Sequence, residues 1–301
     1  DLHLSIRRQR QMCIRDRIDL IANDSYFEVG GWGDGQSPGG QHLSGFLNKV
    51  VIQTDDYVRE FTFSKSRWIL ESEPRDVKSD FALGMHIPKR WDKILDINSC
   101  DLMPSIGSKI VNFVRDLAKK SNLRPYDQRS HIGFFRYLAL RFGQNTNELM
   151  VNLVTSYEDL DSLVPFVESL VDEFPEITSV VNNINTRKAD VSFGEREILL
   201  FGKPILKEKL KDLTFQISAN SFFQTNSHMA EKLYEVILDS AKLKGDEVVY
   251  DLYCGAGSIS LFLAQKAKFV YGFDIIVSSI ENAEQNAIIN KIENIDFNVA
   301  N

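Results

Sequence analysis

A glycine loop near the end of the sequence, DLYCGAGS at 251–258, combines residue types that are suited to chemistry. Glycines between a strand and a helix let the backbone approach a ligand closely. Cys254 stands beside these glycines, where its thiol could be a nucleophile, a metal ligand or a small packing residue. The loop therefore predicts a ligand site, and the residues around it decide which class of ligand is favoured.

Two classes of cofactor-binding fold use such a loop. The dinucleotide fingerprint G-x-G-x-x-G/A needs a glycine or alanine at its third place, where this sequence has Ser260, and an acid ahead of the loop, such as Asp251, is foreign to it. Asp-x-x-Cys-Gly-x-Gly instead resembles the first motif of class I methyltransferases that use S-adenosylmethionine (SAM). Asp274 ends the next predicted strand, where a carboxylate can accept hydrogen bonds from both ribose hydroxyls. SAM binding is therefore favoured over NAD-dependent oxidoreduction and over a tight turn without a ligand.

The composition is that of a soluble protein long enough for two domains, with 301 residues, 43% of them hydrophobic, and a net charge of −7. The three cysteines form no CxxC pair and the five histidines are scattered, so no metal site is predicted. Residues 61–142 carry 15 Lys and Arg against 9 Asp and Glu, which indicates a nucleic-acid face or an ordinary solvated surface. No apolar run is long enough for a membrane span and no secretion signal begins the sequence, which predicts a cytoplasmic protein.

The elements that would position the loop follow two patterns. In 59–215, "EFTFSKSRWIL", "ITSVVNNIN" and "REILLFG" predict strands, and "SIGSKIVNFVRDLAKKS" and "DSLVPFVESLVDEF" predict helices. The first of these helices has an apolar stripe at Ile106, Ile110, Val111, Val114 and Leu117. In the same region "FALGMHI" with "DKILDI", around a basic "PKRW" tip, and "FFRYLALRFG" with "ELMVNLVTS" predict hairpins. In 216–301, strands and helices alternate, which predicts a parallel sheet with crossover helices. The predicted elements there are strands 247–252, 269–275 and 295–299 and helices 258–266 and 278–291.

The fold class is therefore an α+β central domain at 59–215, followed at 216–301 by the first half of an α/β Rossmann-like class I SAM methyltransferase domain. Such a sheet usually has about six strands, so three predicted strands indicate a C-terminally truncated chain. Residues 1–17 resemble translated vector sequence and are expected to be a non-native tail, and 18–58 receive no assignment.

A further helix is predicted after the polar stretch "ISANSFFQTN", with Asn226 or Ser227 as its N-cap and Gly245 after its end. Met229, Leu233, Val236, Ile237 and Ser240 are predicted to share one face of this helix.

Several stretches together resemble the RNA (uracil-C5)-methyltransferase family, which forms 5-methyluridine in tRNA and ribosomal RNA. They are "EFTFSKSRW", "LGMHIPKRWDKILDI", "GFFRYLALR", "NTNELMVNLVTS", "SVVNNIN", "ISANSFFQTN" and "DLYCGAGSISLFLA", and they cover about 60–301 in the family's order. The pair "SANSFFQTN" and "DLYCGAG" is the most specific part. The basic tip and "RWDKILDI" are more similar to the branch that acts on 23S ribosomal RNA.

The resemblance implies a mechanism in which a cysteine thiolate attacks C6 of a uracil that has left its stack. C5 then takes the methyl group from SAM, a base removes the C5 proton, and the cysteine leaves. The family's nucleophile and general base belong to later segments than those in this sequence, so no catalytic residue is assigned and the 301-residue chain is expected to be inactive. Cys254, in the SAM loop, is expected to be a small buried residue.

The resemblance also assigns binding residues one by one. Gln224 corresponds to a glutamine between SAM and the uracil, Phe222 to an aromatic that stacks on the flipped base or is a core residue, and Arg136 to an RNA or active-site contact or a solvated strand residue. Asp274 stands where the family usually has Glu, and Ser258 where it often has Asn or Thr. The full set expected at the cofactor is Gln224, Tyr253, Gly255, Gly257, Ser258, Asp274 and Asn301.

The expected partner is RNA, ribosomal RNA more than tRNA, with no DNA and no membrane. An iron–sulfur cluster is possible in a longer parent protein, although no ligands for it stand in this sequence. Two alternatives remain open from the sequence: a non-catalytic module that binds RNA and SAM, and a methyltransferase of another substrate.

Overall fold

The computed structural model describes residues 58–64, 81–87, 90–189 and 191–300, all of which lie in one compact unit, Asp56–Asn301. The expectations for 1–57, for the 65–70 part of "EFTFSKSRWIL", for part of the "PKRW" tip and for Asn301 fall outside the described residues. The described strands are β1 (Val58–Ser64), β2 (Ala82–Ile87), β3 (Arg90–Asp96), β4 (Phe135–Phe142), β5 (Leu149–Thr155), β6 (Ser179–Ile184), β7 (Arg196–Gly202), β8 (Ile205–Leu210), β9 (Leu213–Ser218), β10 (Val248–Leu252), β11 (Phe269–Asp274) and β12 (Ile295–Val299). The described helices are α1 (Ser105–Lys120), α2 (Leu160–Glu173), α3 (Ser227–Ala241), α4 (Ser258–Ala264) and α5 (Val277–Asn290).

Strands β1 to β7 form one sheet in the order β3-β2-β1-β4-β5-β6-β7. Both predicted hairpins are confirmed, since β2 pairs with β3 and β4 with β5 in antiparallel fashion. Strands β5 and β6 are parallel, and α2 supplies the crossover between them. The sheet is therefore mixed, as the α+β pattern predicts.

One face of this sheet is covered by α1 and α2. The apolar stripe predicted on α1 is confirmed, because Ile110, Val111 and Val114 are buried and the flanking apolar residues are partly buried. Asp159 caps α2 by accepting a hydrogen bond from the backbone N–H of Ser162, at 3.1 Å. The resulting core fixes β4 and β5 in the middle of the sheet.

The opposite face meets the hairpin β8–β9, which the sequence patterns did not predict. A second core joins Met150 and Val181 of the seven-stranded sheet to Leu206 and Phe215 of the hairpin and to Ala283 of α5. The predicted domain boundary at 215/216 falls within β9 and stays a prediction. This continuous core ties the C-terminal elements to the central sheet.

Strands β10, β11 and β12 form a parallel sheet with β11 in the middle, and α4 and α5 are its crossover helices. All five elements predicted for 247–299 are confirmed to within two residues at each end. The Rossmann-like arrangement that positions the glycine loop is therefore the one that the alternating pattern predicts.

The residues predicted to share one face of α3 are buried only in part. Ile237 packs against the core, but Leu233 and Val236 are 45% and 61% exposed, whereas Ala230 and Tyr234 are buried. The ring of Tyr234 lies 5.1 Å from that of Phe262 on α4, so the contact with α4 sets the buried face. The predicted cap is confirmed at Asn226, whose Oδ1 accepts a hydrogen bond from the N–H of Met229 at 2.8 Å.

Candidate functional site

The glycine loop joins β10 to α4 through a tight backbone turn. The N–H groups of Tyr253 and Cys254 both donate to the carbonyl of Phe273, at 2.8 and 2.9 Å, which ties the loop to the end of β11. Tyr253 has a φ of +74°, a conformation that costs a non-glycine residue free energy, and its side chain is 68% exposed. This exposed aromatic ring is available to a ligand.

The two glycines of the loop have different surroundings, although both have a positive φ. A Cβ on Gly257 would lie 2.8 Å from the ring of Phe297 and 3.0 Å from the Cβ of Ala283, so glycine is needed there for packing. A Cβ on Gly255 would meet only the carbonyl oxygen of Phe222, at 4.0 Å. Gly255 therefore faces open space that a ligand can occupy.

Asp274 lies at the end of β11 and connects the glycine loop to the start of α5. Its Oδ2 accepts a hydrogen bond from the N–H of Gly255 at 3.0 Å, and its Oδ1 accepts one from the N–H of Ile276 at 2.9 Å. Each carboxylate oxygen has a second lone pair. The carboxylate is thereby held in one orientation and keeps the capacity to accept hydrogen bonds from a ribose.

The start of α4 is braced by two hydroxyl contacts. Ser258 Oγ and the hydroxyl of Tyr234 are 2.9 Å apart, and Ser260 Oγ donates to Oδ2 of Asp251 at 2.5 Å. Burial raises the pKa of Asp251, and the nearby charge of Asp274 raises it further. Burial likewise raises the pKa of Tyr234 to about 12. Ser258 is thus held by α3, and Ser260, which breaks the dinucleotide fingerprint, binds the acid that precedes the loop.

Cys254 is buried behind the loop, in agreement with its expected role as a small packing residue. Burial, and then the charges of Asp251 and Asp274, raise the pKa of its thiol to about 12. The thiolate is the nucleophilic form of cysteine. At neutral pH Cys254 is a protonated thiol, which makes it unsuitable as a nucleophile.

The segment 219–226 leads from β9 to α3 and presents one of two adjacent phenylalanines. Phe223 is buried with its ring 5.4 Å from that of Phe215, whereas Phe222 is 49% exposed. Gln224 is half-buried at a small cleft also lined by Arg141 and Glu208. Because Phe222 is not a core residue, its ring is available for stacking.

Asn220 anchors this segment to the central sheet, a role that sequence reasoning missed. Its N–H donates to Oε1 of Glu197 at 2.9 Å, its Oδ1 accepts from the side chain of Asn183, and its Nδ2 donates to the carbonyl of Gly194 at 3.3 Å. Burial raises the pKa of Glu197. No local pattern distinguishes Asn220 from any other polar loop residue, since its partners are distant in sequence.

Arg136 is buried, at 2% exposure, and does not lie on a solvated face. Its guanidinium donates to the carbonyls of Asn185, Arg187 and Ala189 at 2.7, 2.5 and 2.8 Å, and lies 4.3 Å from the centre of the Tyr126 ring. These contacts hold the turn after β6. The structure thus favours a bracing role for Arg136 over the expected direct contact with RNA.

The structure brings together three of the residues predicted at the cofactor, namely Gly255, Asp274 and the exposed Tyr253, and places the backbone of Phe222 near Gly255. Gly257 and Ser258 support the loop from behind. Among the described residues, no three His, Cys, Asp or Glu side chains are grouped as metal ligands. Within those same ranges, no helix has the length and apolar character needed to cross a membrane.

A parallel sheet with a glycine loop after one strand and an acid after the next defines a Rossmann-like fold, which SAM methyltransferases share with dinucleotide-binding proteins. Residues 170–299 match the family model described as tRNA (uracil-5-)-methyltransferase. This match and the curated relatives below support the RNA uracil-C5 methyltransferase family for the chain.

Curated relatives carry the name RNA methyltransferase. One from Chlorobaculum tepidum is 37% identical over 273 residues, which cover 85% of this chain and 56% of the relative. Another, from Staphylococcus aureus, is 38% identical over 298 residues, which cover 98% of this chain and 60% of the relative. The chain thus spans less than two thirds of the length of the curated relatives that it matches.

A solved structure with a similar fold is the tRNA (uracil-54, C5)-methyltransferase of Pyrococcus abyssi in complex with S-adenosyl-L-homocysteine (SAH). It has a TM-score of 0.64 and 27% sequence identity, over 82% of this chain and 55% of that chain.

Proposed function

We propose that this chain is the part of a SAM-dependent RNA methyltransferase that binds the cofactor and presents the target base, and that the whole protein methylates C5 of a uridine. The observation that carries the proposal is the nearness of the two loops. The N–H of Gly255 is bound to Asp274, and a Cβ added at Gly255 would lie 4.0 Å from the carbonyl oxygen of Phe222. A nucleoside cofactor in the first loop would therefore lie next to a base stacked on Phe222.

The residues present fit SAM by their chemistry. Asp274 would accept hydrogen bonds from the ribose hydroxyls, Tyr253 would cover the cofactor with its exposed ring, and the backbone at Gly255 would allow close approach. Gly257 and Ser258 would keep the loop in place, and Asn301 would lie near the adenine. SAM supplies the methyl group.

The base would be held by the segment 219–226. Phe222 offers an exposed ring for stacking, which contributes about 1–3 kcal/mol per base in proteins that bind single strands. Gln224 would contact the uracil from the side of the cleft. Because the pKa of Cys254 is about 12, the nucleophile for C6 is a different cysteine.

We further propose ribosomal RNA as the substrate. Support comes from the sequence 83–97, whose "RWDKILDI" portion resembles the branch that acts on 23S RNA, and from the basic excess in 61–142. The test is methylation of a ribosomal RNA transcript against a tRNA transcript by the longer protein, in which a product on tRNA alone would contradict the assignment.

The cofactor site is tested by isothermal titration of the 301-residue chain with SAH, in parallel with NADH. We expect SAH to bind, NADH to fail, and Asp274→Asn to weaken SAH binding by about tenfold, the effect of one strong hydrogen bond. Asp296→Asn is the matched control, because it makes the same change of charge at an exposed position of the same sheet. A folded chain that binds NADH and not SAH would refute the proposal.

A further inference from the structure

Helix α5 carries three asparagines at intervals of one turn, Asn282, Asn286 and Asn290, which share one face of the helix. We call them the asparagine ladder. Each side-chain amide crosses to β9 or to the segment that follows it. The ladder therefore connects the helix that begins just after Asp274 with the segment that leads to Phe222.

Two members of the ladder pair with the outer edge of β9 as a neighbouring strand would. Oδ1 of Asn290 accepts from the N–H of Thr214 at 2.8 Å, and its Nδ2 donates to the carbonyl of Thr214 at 2.7 Å. Asn286 makes the same pair of contacts with Gln216, at 2.7 and 3.3 Å. An amide side chain carries a donor and an acceptor like a peptide group, so it can pair with the free backbone N–H and C=O groups of an edge strand.

Asn286 has an additional contact that Asn290 lacks. It is fully buried, and its Nδ2 also donates to the carbonyl of Ala256 at 3.0 Å. Ala256 lies between the two glycines of the glycine loop, which is called the cofactor loop from here on. Asn286 therefore fixes that loop relative to β9.

Asn282 lies where β9 ends, and it contacts side chains in place of the strand backbone. Its Nδ2 donates to Ser221 Oγ at 2.6 Å and lies 3.3 Å from Ser218 Oγ, while these two hydroxyls are 2.7 Å apart. Ser221 immediately precedes Phe222. Asn282 therefore holds the segment that presents the exposed ring.

We propose, on the basis of the function proposed above, that the ladder sets the position of the base-stacking ring relative to the cofactor loop. Asn286 is a positioning residue for the cofactor loop, and Asn282 is a positioning residue for Phe222. Asn290 only fastens β9. One helix thus fixes the two halves of the site against each other, and the three asparagines have separable effects.

The test compares Asn282→Ala, Asn286→Ala and Asn290→Ala in the full chain, each also carrying Phe222→Trp. Labelling with 5-fluorotryptophan gives a fluorine NMR signal for position 222, which is assigned because the chain without Phe222→Trp lacks it. Affinity for SAH is measured by titration on the same three asparagine variants with Phe222 retained. Urea unfolding of each variant supplies the stability loss that a purely structural role would produce.

We expect Asn286→Ala to weaken SAH binding by about three- to tenfold, the effect of one or two lost hydrogen bonds, while Asn282→Ala and Asn290→Ala stay within about twofold. We expect Asn282→Ala to shift the fluorine signal and Asn290→Ala to leave it in place. The double variant Ser218→Ala with Ser221→Ala removes the loop partners of Asn282 without changing the helix, and it should reproduce the shift.

If the changes in SAH affinity and in the fluorine signal simply follow the loss of stability across the three variants, the proposal is overturned, because the ladder would then be structural only. An unshifted signal in both Asn282→Ala and the double serine variant would overturn it as well. Failure of the parent chain to bind SAH would refute the proposed cofactor site and the role of Asn286 together. The fluorine comparison does not need SAH, so it separates failure of the ladder from failure of the function.

Discussion

Replacing each glycine of the cofactor loop by alanine should separate packing from ligand binding. Gly255 and Gly257 both have a positive φ, of +56° and +78°. A Cβ at Gly257 would lie 2.8 Å from the ring of Phe297, whereas a Cβ at Gly255 would find its nearest neighbour at 4.0 Å. The two substitutions therefore share the backbone cost and differ in the steric cost.

The backbone cost of a left-handed alanine is about 1–2 kcal/mol. The reduced entropy of the unfolded chain offsets about 0.4–1 kcal/mol of it, which leaves about 1 kcal/mol for Gly255→Ala. Gly257→Ala adds an overpacking cost of about 1–3 kcal/mol, because a ring and a helix must move. We expect losses in the free energy of unfolding of about 1 kcal/mol and about 2–4 kcal/mol, respectively.

SAH binding should be affected more by Gly255→Ala, although this variant loses less stability than Gly257→Ala. The methyl group at 255 enters the open space next to Asp274, so Gly255→Ala should abolish most SAH binding while the chain stays nearly as stable. Urea unfolding followed by circular dichroism gives the stabilities, and titration with SAH gives the affinities. Equal stability losses in the two variants, or full SAH affinity in Gly255→Ala, would refute the reasoning.

Two further predictions concern buried groups. Cys254→Ala should leave SAH affinity unchanged. Burial raises the pKa of the thiol from about 8.5 in an unfolded chain to about 12. The stability that the buried thiol provides is therefore present at neutral pH and is lost as the pH rises between these two values. A urea series from pH 8 to 11 should therefore show a shallower decline for Cys254→Ala, and an identical decline would contradict the assignment. Arg136→Ala should lower the free energy of unfolding by about 3–5 kcal/mol, because three carbonyls lose a charged donor. Arg196→Ala removes an exposed ion pair with Glu158, so it should lower that free energy by less than about 1 kcal/mol. Similar losses for the two variants in thermal or urea unfolding would show that the contacts of Arg136 with these carbonyls are not needed.

The sequence alone was sufficient for the elements whose signal is local. The alternation of strand and helix over 247–299, the two hairpins of the central sheet and the stripe on α1 all depend on periods of two or about 3.6 residues within one segment, and the structure confirms them. The glycine loop and Asp274 could be predicted for the same reason, because the motif fixes a strand–turn–helix unit. The family resemblance was also carried by short contiguous motifs.

Contacts between distant segments decided the rest. The hairpin β8–β9 went unpredicted because its strands are short and three consecutive charged residues, Lys207, Glu208 and Lys209, interrupt the apolar pattern of β8. The predicted face of α3 is buried only in part, because the apolar spacing does not show which residues a neighbour covers, and the packing against Phe262 selects Tyr234. Periodicity shows that a helix has an apolar stripe, but it does not show which neighbour will cover it.

The site itself divides in the same way. The sequence determined which residues are proposed for the cofactor site, since Gly255 and Asp274 follow from the order of strand and loop. Only the tertiary structure could decide that Arg136 is interior, that Phe222 is exposed while Phe223 is buried, and that Asn282 and Asn286 join the two loops. The physical reason is that a hydrogen bond or a buried contact between residues 30 to 70 positions apart depends on how the sheets and helices pack, which no local pattern encodes.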